Sequence, residues 1–214
     1  MKVIRQFTLA AAAMLVLAAP VLAAGTMADE VRAINNSWAH IAYELRGSRG
    51  QGPALAQLEA QSEALVLRYP GQADPLVWQG VVVAEQANTA SFLRKLGFAS
   101  RARDLFTKAY DINPRAANGG AALGLGVLYY KVPGSPLGFG DKVKARRLIR
   151  EALAIAPDSL DANFFYGDFL YGQGDKAGAK VVLQKALRAP RDSSRPVADA
   201  GRRADVNAVL RKIG

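Results

Sequence analysis

The chain has 214 residues, half of them apolar, which suits one or at most two compact domains around a real core. Its 28 lysines and arginines stand against 18 acidic residues, an excess that favours anionic partners. The absence of cysteine excludes disulfides and an acylated anchor, and with His40 as the only histidine no His/Cys metal cluster can form.

Residues 1–23 read as an export signal. Lys2 and Arg5 precede a charge-free run from Phe7 to Ala19, then Pro20 and Val21-Leu22-Ala23. That is the basic, apolar, small-residue order of a secretory signal, with cleavage expected after Ala23. The run is shorter than the about 20 residues of a membrane span, and no later stretch is longer. The mature chain from Ala24 is therefore expected to be a soluble periplasmic protein. Loss of Lys2 and Arg5 leaves 26 basic against 18 acidic side chains, a formal +8. In the periplasm this charge meets acidic proteins or an anionic envelope surface rather than nucleic acid.

Met27, Val31, Ile34, Trp38, Ile41 and Leu45 step by three and four and form one stripe of a first helix. Gly47, Gly50, Gly52 and Pro53 break it. Leu55, Leu58, Leu65 and Tyr69 continue helical spacing until Pro70-Gly71. The same alternation of helix and break runs to the C-terminus, and no sustained period-two run suggests a sheet. The fold class expected is all-α.

Three helices repeat one pattern. Ala102, Phe106 and Ala109 are followed by Pro114; Ala145, Ile149 and Ala152 by Pro157; Ala179, Leu183 and Ala186 by Pro190. Small alanines let the two helices of a hairpin approach, the larger residue between them fills the gap, and proline stops the helix. This pattern resembles the second helix of the tetratricopeptide repeat. Asp161 to Pro190 resembles a nearly whole unit, with Gly167 at the small position of the first helix, Leu170 at the large one and Gly172-Gln173-Gly174-Asp175 as the turn.

The resemblance implies a short helical-hairpin solenoid. The 24–214 domain then comprises an N-terminal helical pair (27–72), repeat units (75–190) with insertions near 88–97 and 131–140, and a capping helix (196–213). A periplasmic helical protein with irregular units and a Pro/Gly-rich insertion also resembles the T component of tripartite ATP-independent periplasmic transport systems.

No catalytic constellation is present. His40 stands alone on a helix, no Gly-x-Ser-x-Gly elbow occurs, and Gly119-Gly120, Gly124 and Gly126 lack the Gly-Lys-Ser/Thr of a phosphate loop. The chain reads as a non-enzyme without cofactor. The expected function is a scaffold or adaptor that binds a protein or peptide in a helical groove.

The tetratricopeptide resemblance puts Phe164, Asp168 and Tyr171 on the concave surface, with Tyr130 as neighbour from the preceding unit. The loop Lys131–Gly140 offers Leu137 and Phe139, apolar side chains that a purely solvated loop would not favour. Arg202 and Arg203 of the basic C-terminal tail are candidates for gripping carboxylates. The alternative is an accessory ligand-binding component of a transport system, which predicts a closed apolar cavity in place of an open groove. A homo-oligomer is compatible with either.

Overall fold

The computed structural model describes residues 25–214, so the export signal expected over residues 1–23 lies outside the described residues. Among the described residues every regular element is a helix. Helix α1 (Met27–Ala39) opens on a capping box in which Thr26 accepts from the Asp29 N–H and the Asp29 carboxylate accepts from the Thr26 N–H. It runs into a π-helical turn, His40–Glu44, closed by a Leu45 N–H bond to the His40 carbonyl at 3.1 Å. Ile34 and Ile41 of the apolar stripe are buried against Leu55, Leu58 and Leu65 of α2 (Gln51–Arg68) and Val82. Gly52 and Pro53, part of the expected break, instead form the first turn of α2. Proline is tolerated there because a first-turn N–H has no intrahelical acceptor.

Three helical hairpins follow: α3 (Ala73–Thr89) with α4 (Phe92–Ile112), α5 (Ala116–Lys131) with α6 (Lys142–Ile155), and α7 (Leu160–Gly172) with α8 (Lys176–Leu187). The repeated triplets of α4, α6 and α8 are all buried, none more than 2 % exposed. Each large middle residue faces a glycine of its partner helix. A Cβ added at Gly80 would stand 2.8 Å from Phe106, at Gly126 2.7 Å from Ile149, and at Gly167 2.6 Å from Leu183. Such distances leave no room for alanine, so close approach of the paired helices depends on these three glycines.

The segment 88–97 contains no extended loop. Only Ala90 and Ser91 separate α3 from α4, and the added residues lengthen both helices. Residues 132–141 do form a loop, and it folds back on the hairpin. The Gly140 N–H donates to Pro133 O at 2.8 Å, the Asp141 N–H donates to Tyr129 O at 2.9 Å, and Phe139 packs edge-on against Tyr129 beneath the Arg103 guanidinium.

Helix α9 (Pro196–Ile213) packs on α7 and α8 and reaches α1 and its π-helical turn. Gly201 permits that contact, since a Cβ there would stand 2.4 Å from the Tyr43 ring. The two ends of the described chain thus meet. No described helix is long and apolar enough to cross a membrane.

Candidate functional site

The meeting of α1 and α9 bounds a partly open cavity of about 1640 Å³ against the helices α3, α5 and α7. Those three are called inner helices below, and α4, α6 and α8 outer helices. Trp78, Val81 and Glu85 come from α3, Leu123, Gly124 and Val127 from α5, and Asp161 and Phe165 from α7. Opposite them stand Trp38 and Tyr43 of the α1 end and Arg202 and Asp205 of α9. The aromatic groups pack together, with Trp38 edge-on to Tyr43 at 5.9 Å and to Trp78 at 6.2 Å.

The inner register explains the lining. Trp78, Gly124 and Phe165 each lie two residues before a packing glycine (Gly80, Gly126, Gly167), and Val81 and Val127 lie one residue after it. Successive helical turns therefore project the same positions inward. At one end α5 enters through a left-handed turn, with φ of 48° at Ala117, 53° at Asn118 and 78° at Gly119. The Ala117 N–H donates to the Asp74 carboxylate at 2.8 Å, which anchors this costly geometry.

At the other end a half-buried ionic network around the buried Arg202 joins the π-helical turn, α7 and α9. Arg202 donates to Asp161 at 2.7 Å and to Asp205 at 3.3 Å, and its guanidinium lies 4.6 Å from the ring centres of both Phe164 and Phe165. Arg195 joins Asp161 to Asp192, and Tyr43 donates to Asp205 at 3.3 Å. Burial pushes the Asp161 carboxyl upward, but Arg202 and Arg195 more than offset this and hold it below the ordinary carboxylate value. Burial likewise raises the Tyr43 hydroxyl, and it raises Glu85 on the inner wall.

Two buried polar atoms in the cavity wall have no hydrogen-bond partner among the described residues: the Trp38 indole nitrogen, a donor, and Asn35 Oδ1, an acceptor. They lie one helical turn apart on α1. Unsatisfied buried groups of this kind cost about 1–3 kcal/mol each, and native proteins retain few of them.

Of the eight residues singled out from the sequence, only Arg202 lines this cavity. Phe164 is 8 % exposed, with the Arg202 guanidinium over its ring. Arg202 and Arg203 spend their donors internally. Arg203 binds Asp199 at 2.8 Å and the carbonyls of Leu187 and Ala189, so the two arginines fasten α9 and leave no free grip for a carboxylate.

Asp168 and Tyr130 do come together, outside the cavity. Lys131 pairs with Asp168 at 2.5 Å, and the Tyr130 hydroxyl donates to the Asp168 carbonyl at 3.2 Å. Burial, with Asp168 nearby, pushes that hydroxyl up to about 12. Tyr171 is half-buried. Leu137 is 66 % exposed at the loop tip and Phe139 is half-buried, neither in the cavity wall. His40 is exposed and paired with Glu44. Sequence reasoning missed Trp38, Trp78 and Val127; the spacing from Gly80 and Gly126 was the signal that could have found the last two.

The tetratricopeptide repeat family model matches residues 137–202. No curated protein matches the chain. Among solved structures it is similar to TTC0263, a thermophilic TPR protein in Thermus thermophilus, at 17% identity over 88% of this chain and 98% of that one, with a TM-score of 0.57. A looser likeness, with a TM-score of 0.42 and also 17% identity, is to the MamA RS-1 ArsTM double mutant, over 88% of this chain and 97% of that one.

Proposed function

We propose that the chain is a periplasmic scaffold of tetratricopeptide-like fold that holds an extended peptide in the cavity between its inner helices and the α1–α9 junction, a reading supported by the family match over residues 137–202 and by the likeness of its fold to a solved TPR protein. A tetratricopeptide fold is suited to binding protein partners. Export is supported by the basic, apolar and small-residue order of residues 1–23.

The observation that carries the peptide reading is the orphan pair on α1. Trp38 carries an unmet N–H and Asn35 an unmet carbonyl oxygen just behind the aromatic wall of the cavity, where a small shift of these side chains would open both to a bound chain. A peptide backbone brings both complements, a carbonyl and an N–H, within each residue. Trp78, Val81, Leu123 and Val127 supply the apolar contacts that would anchor its side chains.

Co-purification from envelope extracts tests this, using the chain beside a variant carrying Val81→Glu and Val127→Glu. The expected result is one polypeptide recovered with the parent and lost with the variant, at equal helical circular dichroism. Recovery unchanged in the variant would refute the cavity as the site. A second reading, a ligand-binding accessory of a transport system, draws on the size of the cavity and its partial closure by α1 and α9. It predicts a small molecule retained in native mass spectra of the purified protein and no polypeptide.

A further inference from the structure

Charge is divided between the two layers of helices. The inner helices α3, α5 and α7 carry four acidic residues and a single cation, Lys131, whereas the outer helices α6 and α8 carry eight lysines and arginines and a single acidic residue, Glu151. Neither α6 nor α8 contributes a residue to the cavity. Lys142, Arg146 and Arg150 recur every four residues and so form one stripe along α6.

Elsewhere on these two helices cations have a carboxylate at hand, as Arg147 has Glu151 and Lys185 has Asp158. Lys142, Arg146, Arg150 and Lys176 have no ion-pair partner among the described residues. Two of the few large apolar side chains left in solvent sit on the same two helices, Val143 at 82 % and Val181 at 64 % exposure. Beside the stripe is a shallow cleft of about 650 Å³ lined by Lys142, Arg146, Arg150, Phe169 and Gln173. The Gln173 side-chain nitrogen in its wall is a further buried donor without an acceptor.

We propose that the outer face of α6 and α8 docks the protein on an anionic phospholipid surface. The cations of α6 face the lipid phosphates, and Val143 and Val181 enter the headgroup layer. A row of unpaired cations along one helix, with exposed valines and no exposed aromatic ring among them, matches charge smeared over a plane. It offers neither the stacking platforms that a nucleic acid would use nor a deep pocket for the side chain of an acidic protein. Docking through this face leaves the cavity free, so the surface acts independently of the peptide site.

Sedimentation of the purified chain with phosphatidylcholine vesicles, with and without phosphatidylglycerol, tests the proposal. Binding is expected only when phosphatidylglycerol is present, and it should fall steeply as salt rises. The combined change Lys142→Glu, Arg146→Glu and Arg150→Glu should weaken it by about a hundredfold or more, since near-surface cations each contribute several-fold. Val143→Asp, at a position that folding does not use, should also weaken it. Equal binding to neutral vesicles, no binding to either kind, or full binding by the triple variant with intact circular dichroism would overturn the proposal. Capture of soluble polyglutamate through the same three cations, without vesicle binding, would assign the face to an acidic protein instead.

Discussion

At the scale of single residues, Trp38 is the most informative position. Its ring packs against Tyr43 and Trp78, so the side chain has a structural reason to be there, yet its N–H is buried without an acceptor. Trp38→Phe keeps much of the aromatic packing and removes the unmet donor. The free protein should then hold or gain thermal stability, because a buried unsatisfied group is lost. Peptide affinity should fall about fivefold, the weight of one hydrogen bond of about 1 kcal/mol. Thermal melting and calorimetric titration with the recovered peptide check the two opposite signs. A loss of stability together with unchanged affinity would show the indole nitrogen to be a bystander. Arg202 gives the contrasting case of a side chain whose donors are engaged, holding Asp161 and Asp205 inside the fold.

At the scale of elements, the α1–α9 contact turns a row of hairpins into a partly open enclosure, and it rests on the gap that Gly201 leaves for the Tyr43 ring. Gly201→Val would push α1 away at a cost of about 1–3 kcal/mol, typical of overpacking. Hydrogen exchange should rise in the π-helical turn and in α9 while α5 and α6 stay protected; uniform change, or none, would mean that the contact does not hold the ends together. Much at this scale was legible in the sequence. The stripe from Met27 to Leu45 became α1 and its π-helical turn, and the three Ala-large-Ala triplets became the buried faces of α4, α6 and α8. The extra length near 88–97 is taken up by helix, because Asn88 and Gly97 carry no signal strong enough to stop one and both helices extend.

At the scale of the whole molecule, the surface that matters was less legible than the fold. Phe164 and Phe165 are adjacent aromatics, and which of them faces inward depends on where α9 lies. Arg202 of that helix lies 4.6 Å from both ring centres, with Phe164 buried in the core and Phe165 in the cavity wall. The contact between the two chain ends spans 162 residues of sequence in the Tyr43–Asp205 bond, and no local pattern announces it. Charge segregation was visible only as a basic excess until the helices were sorted into inner and outer layers. That sorting separates two faces, a partly open cavity and a cationic back.

The central claim is that the cavity holds a partner polypeptide, and site-specific photo-crosslinking in envelope extracts tests it most directly. A photoreactive residue at Val127, inside the cavity, is compared with one at Val181, on the outer face and 64 % exposed. The account predicts one discrete crosslinked polypeptide from Val127 that Val181 does not capture. The same product from both positions, or a polypeptide captured from Val181 alone, would contradict it.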